Sequence, residues 1–153
     1  MDKIILLDAN LLIAALDTRN LEAMIQLDAL LNDDDVALAI SSLIRYEVLR
    51  GVDFSDNEKY ERLNNLLNDY QEFEINNKIA MLSADLFRFA RSKKEEGKNS
   101  IVDKRSFDVF HLATAKCNEL ELCSNDGDLG KLENLYQDYQ KWLSSNENET
   151  PDY

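Results

Sequence analysis

Apolar residues in this chain come in two patterns that alternate: short solid runs and longer, spaced stretches. Ile4-Ile5-Leu6-Leu7 is a solid run. Four aliphatic residues in succession predict a strand buried on both faces, as in a parallel sheet. Residues 11–17 follow as a short helix. Leu21, Met24, Ile25, Leu27, Leu30 and Leu31 then recur at helical spacing until the polar stretch 32–35. Val36-Ala37-Leu38-Ala39-Ile40 predicts a second buried strand. Ser41-Ser42 supplies an N-cap for the next helix, which carries Arg45, Tyr46, Glu47, Val48 and Leu49 and which Gly51 ends.

Tyr60, Leu63, Leu67 and Tyr70 define a further amphipathic helix, and residues 71–75 a weak third strand. A long helix is predicted over 78–96, with Ile79, Leu82, Leu86, Phe89 and Ala90 on its core face. Residues 97–104 read as loop. Ser106 or Ser100 caps a helix over 107–118, residues 119–123 form a fourth strand, and 129–143 is mostly helical. Short strands alternating with helices predict an α/β protein with right-handed crossovers and a parallel sheet covered on both faces. Strand order is not encoded in periodicity.

The 153 residues suit one domain, over 1–143. Residues 144–153 are polar and acidic, contain the single proline, Pro151, and read as a disordered tail. Met1-Asp2-Lys3 leads directly into the first strand, which leaves no room for a secretory signal. Cys117 and Cys123 have no second pair, so reduced thiols in a cytoplasmic protein are expected. The net charge of −13, from 30 acids and 17 bases, argues against DNA or membrane binding through a general field. It leaves room for a nuclease, because carboxylates that hold divalent metals become a cation site once loaded. One basic stretch stands out: Arg91, Lys93, Lys94, Lys98, Lys104 and Arg105 outnumber Glu95, Glu96 and Asp103. It is either a solvated helix end and loop or a phosphate-attracting segment.

Four acidic positions decide the chemistry. Asp8 ends the first strand, where open α/β sheets bind ligands, unless it merely caps the next helix. Glu47 sits among Leu43, Ile44, Tyr46, Val48 and Leu49, either paired with Arg50 one turn on or ligating. Asp108 lies in the first turn of its helix, where the dipole alone would favour an anion by ~0.3–1 kcal/mol. His111, one turn further, is within hydrogen-bonding reach of it. Asp126 and Asp128 follow the fourth strand as turn formers or ligands. They do not begin a calcium loop, since Lys131 and Gln137 occupy the positions of its required Gly and Glu. In a parallel sheet several of these points converge at the carboxyl edge. Gathered carboxylates repel unless protonated or bound to cations. Hard oxygen ligands select Mg²⁺ or Mn²⁺, for which a phosphodiester is the natural substrate.

With these segments in place, the chain resembles PIN-domain ribonucleases, specifically the VapC-type toxins of bacterial toxin–antitoxin pairs. The resemblance rests on Leu6-Leu7-Asp8-Ala9-Asn10, on residues 41–51, on Phe107-Asp108-Val109-Phe110-His111-Leu112-Ala113-Thr114-Ala115, and on Ser124-Asn125-Asp126-Gly127-Asp128-Leu129. It implies a three-layer α/β/α sandwich around a mostly parallel sheet of about five strands. It implies a Mg²⁺-dependent endoribonuclease with Asp8, Glu47, Asp108 and Asp126 as the acidic quartet and Asn10 supporting the first of them. Asp128 is placed to share the fourth role, and Arg45, Lys104 and Arg105 to contact RNA. A small antitoxin covering the site and a homodimer are the partners it implies. Ala9 and Leu129 depart from the small hydroxyl residue and the Phe usual there, and no fifth strand is evident beyond Lys131.

Two rivals differ in what they require. A phosphatase of the haloacid dehalogenase type wants a second Asp two residues after the first, where this chain has Asn10. A non-catalytic PIN-like scaffold predicts that Mg²⁺ neither binds tightly nor matters.

Overall fold

A computed structural model describes residues 3–16, 19–93, 106–124 and 129–146. The elements run β1 (Lys3–Leu7), α1 (Ala9–Ala15), α2 (Leu21–Leu31), β2 (Val36–Ser41), α3 (Ser42–Arg50), α4 (Asn57–Leu67), β3 (Gln71–Phe73), α5 (Asn77–Ser92), α6 (Ser106–Cys117), β4 (Glu121–Cys123) and α7 (Leu129–Ser145). Among the described residues, four strands form one sheet in the order β3-β2-β1-β4. Every pairing is parallel.

The chain folds into two compact units. The first comprises Met1–Ile75 with Thr114–Asp126, and the second Asn76–Ala113 with Gly127–Tyr153.

The sheet belongs to the first unit. Its two inner strands are the most apolar: Ile5, Leu6 and Leu7 of β1 are buried, and so are Ala39 and Ile40 of β2. They pack with Leu11 and Leu12 of α1, Ile44 and Val48 of α3, and Leu63 and Leu67 of α4. Continuous apolar runs are what strands buried on both faces require. The edge strand β3 is short and mostly exposed, which is why Gln71-Glu72-Phe73 carries so little apolar signal.

Helix starts follow capping chemistry. The Asn20, Ser41, Asp56 and Asn76 side chains accept hydrogen bonds from the backbone N–H of Ala23, Ile44, Lys59 and Ile79. The predicted fourth strand begins two residues late because Glu119 (φ 56°) belongs to the turn that ends α6. There the Leu120 N–H reaches back to the Ala115 carbonyl at 2.8 Å, a left-handed helix end more often made by glycine.

In the second unit, Ile79, Leu82, Leu86 and Ala90 of α5, Val109 and Leu112 of α6, and Leu132, Tyr139 and Leu143 of α7 are buried. Helix α7 continues to Ser145, two residues into the stretch expected as tail. The rest of that stretch from residue 147 lies outside the described residues. Among the described residues, no helix is long and apolar enough to cross a membrane.

Candidate metal centre

Register places Asp8. β1 pairs with β2 through Leu6 and Ala39, and with β4 through Leu7 and Cys123. Continued to the carboxyl ends, the same register brings Ser41, Asp8 and Ser124 side by side on one sheet edge. Asp8 is anchored there by its own N–H, which donates to the Cys123 carbonyl at 2.9 Å.

The side chain of Asp8 is only 4% exposed. It occupies the N-cap position of α1 yet makes no capping hydrogen bond. Instead, its Oδ2 accepts a hydrogen bond of 2.7 Å from the Ser124 hydroxyl. Of the two readings open for this residue, helix cap or edge ligand, the geometry removes the first as an explanation. A carboxylate this deep is costly unless it is hydrogen-bonded and paired or coordinating.

Asn10, expected to support Asp8, is exposed in the first turn of α1. Ser124, which holds Asp8, has no role that its residue type or its immediate neighbours reveal. Its one signal in the sequence is its place directly after β4, equivalent to that of Asp8 after β1.

Cys123 shares this edge. Burial pushes its thiol up, opposed by the Gln26 amide at 3.5 Å and assisted by the charges of Glu121 and Asp8. It is therefore a neutral thiol at neutral pH.

Glu47 is half-buried on α3, whose start is fixed by the Ser41 cap. Its neighbour Arg50 lies with its guanidinium 5.5 Å from the centroid of the Tyr46 ring.

Arg45, a candidate RNA contact, lies on the same helix, and its guanidinium is engaged by the fold. It donates to Glu72 (3.0 and 2.6 Å), to the Asn64 side chain and carbonyl (2.5 and 3.2 Å), and to Asn68 (3.0 Å). These contacts tie α3 to the end of α4 and to β3, and they use the planar fork that only arginine provides.

Asp108 is half-buried in the first turn of α6, and His111, one turn on, is 1% exposed. A carboxylate oxygen of Asp108 and a ring nitrogen of His111 lie within 4.8 Å of each other. The i, i+3 spacing foreshadowed this proximity, although a donor set free of histidine was expected. Asp126, Asp128, Lys104 and Arg105 lie outside the described residues.

The PIN domain family model matches residues 5–135. The chain belongs to the PIN domain family. The matched stretch includes all the acids singled out above, and the α/β class and parallel sheet expected from sequence are those of the PIN fold. No match is found among curated proteins.

Several solved structures are similar over most of the chain. A toxin–antitoxin complex from Klebsiella pneumoniae is 26% identical with a TM-score of 0.57, covering 79% of this chain and 85% of that one. VapBC2 from Rickettsia felis, bound to a DNA fragment from their promoter, is 18% identical with a TM-score of 0.63, covering 84% and 92%. FitAcB from Neisseria gonorrhoeae is 22% identical with a TM-score of 0.62, covering 80% and 87%. The last two are likenesses of fold alone.

Proposed function

We propose that this PIN domain is a metal-dependent endoribonuclease, the toxin of a toxin–antitoxin pair. Asp8, Glu47, Asp108 and Asp126 would hold Mg²⁺ or Mn²⁺, with Asp128 next to the fourth acid. The observation that carries the reading is Asp8: a carboxylate buried at the carboxyl end of the inner strand β1 and not used as a helix cap. The donor set suits a hard cation, since carboxylate oxygens predominate in it. Membership of the PIN family and likeness to a toxin–antitoxin complex support the nuclease class and an antitoxin partner.

When bound, a divalent cation supplies Lewis-acid stabilisation and a more acidic water. The chain's own residues prepare the site for it. Ser124 fixes the orientation of Asp8 by donating to Oδ2. The α6 dipole favours the anionic form of Asp108, and His111 stands against it. RNA is the proposed substrate, and a small basic antitoxin and a second copy of the chain are the proposed protein partners. The negative surface suits a basic antitoxin.

The test is cleavage of RNA by protein purified free of host nuclease, with and without Mg²⁺, for wild type, Asp8→Asn and Asp108→Asn. The expected result is metal-dependent cleavage lost in both variants, with unchanged circular dichroism. Full activity in either variant refutes the assignment. Calorimetric titration showing no Mg²⁺ binding to wild type would favour the scaffold.

A further inference from the structure

In the second unit, α5 and α7 carry an aromatic cluster that the carboxylate chemistry does not use. Tyr139 and Trp142 stack with planes 10° apart and centroids separated by 6.4 Å. Phe89 of α5 meets both in tilted contacts, at 5.5 and 6.3 Å. Tyr139 is the buried member, 3% exposed, whereas Trp142, the bulkiest ring, keeps 37% of its surface in water.

Beside the rings lies a cavity of about 370 Å³, whose lining includes all three with Asp85, Arg88 and Lys93. That volume falls within the range of small-ligand sites, roughly 300–1,000 Å³. Its rim is basic. The Lys93 ammonium sits 5.4 Å from the Phe89 centroid. The one acid, Asp85, is offset by Arg88 at 3.4 Å and also accepts from the Tyr139 hydroxyl at 3.4 Å. Arg88, Arg91 and Lys93 are all exposed at the end of α5, in a chain that is otherwise strongly acidic.

Aromatic faces open to solvent and flanked by cations are how proteins hold single-stranded nucleic acid: bases stack and phosphates are neutralised. We propose that this cavity takes a base of single-stranded RNA, stacked on Trp142 and Phe89, with Arg88 and Lys93 against the neighbouring phosphates. It would serve as a substrate-holding subsite distinct from the carboxylates, and it rests on the nuclease reading above. Charge complementarity selects the occupant, since a purely apolar partner would leave the cationic rim unanswered.

Trp142 is the only tryptophan of the chain, so its fluorescence reports on the cavity directly. The full-length protein in EDTA, which separates binding from cleavage, is titrated with a ten-nucleotide oligoadenylate at several salt concentrations. Binding is followed in parallel by anisotropy of a labelled copy. The expected result is saturable quenching of the indole, with affinity falling as salt rises. Trp142→Leu, Arg88→Ala and Lys93→Ala should each weaken binding at least about 5-fold, as expected for loss of a stacked base or a phosphate contact.

Oligonucleotide that fails to bind, or that binds without changing Trp142 emission, overturns the proposal. So does a Trp142→Leu variant that is folded and binds within two-fold of wild type. Sedimentation showing an RNA-free dimer that Trp142→Leu dissolves would assign the surface to a second copy and overturn it equally. Failure of Mg²⁺-dependent cleavage with quenching intact defeats only the nuclease reading. Cleavage without quenching defeats only this subsite.

Discussion

Replacing Arg45 by Met separates a structural role from an RNA-binding one. The methionine keeps an apolar stem and removes the guanidinium. The side chains of Arg45 and Glu72 are 20% and 30% exposed, so their ion pair is partly screened and is worth up to ~1 kcal/mol. The hydrogen bonds to Asn64 and Asn68, at the end of α4, add roughly 1 kcal/mol each. The sum is a loss of about 2–3 kcal/mol, which lowers the midpoint of thermal unfolding by about 4–12 °C in a domain this size. Urea unfolding followed by circular dichroism measures it, with an unchanged m value showing that the denatured state is not the cause. A double-mutant cycle with Glu72→Gln should return a coupling of about 0.5–1 kcal/mol. Arg45→Lys should recover less than half of the loss, because an ammonium cannot reproduce the fork. Stability within about 0.5 kcal/mol of wild type, together with weakened RNA binding, would refute the clamp and return Arg45 to the substrate.

Three further outcomes follow from the sheet edge and the core. Ser124→Ala removes the donor that orients Asp8, and calorimetry should show Mg²⁺ affinity reduced by about 10-fold or more with the fold retained. Leu6→Ala, in the fully buried centre of β1, should cost about 2–5 kcal/mol in urea unfolding. Cys123 should react with iodoacetamide more slowly than a free thiol at pH 8, its rate–pH profile displaced upward by burial. Asp8→Asn should move that profile back down, since the Asp8 charge contributes to the rise.

What could be read in advance was whatever depends on neighbours in sequence. The runs at residues 4–7 and 36–40 announced two buried strands, and the spacing of Ile79, Leu82 and Leu86 announced α5, because burial and periodicity are local signatures. β3 was faint because an edge strand is half in water and need not be apolar. The start of β4 was misplaced because Glu119 adopts a conformation that its residue type does not advertise. Ser124 and Arg45 were out of reach for a different reason. The partner of the first lies 116 positions away, and the partners of the second are spread over two later elements, so their roles depend on register and topology. Asp108 and His111 were legible as a pair, being one helical turn apart.

The sheet order gives β1 a neighbour that is translated long after it. Asp8 leaves the ribosome early but has neither the Cys123 carbonyl for its backbone nor the Ser124 hydroxyl for its carboxylate until β4 has been made. A growing chain therefore carries the acid without its support until the last strand of the sheet is in place.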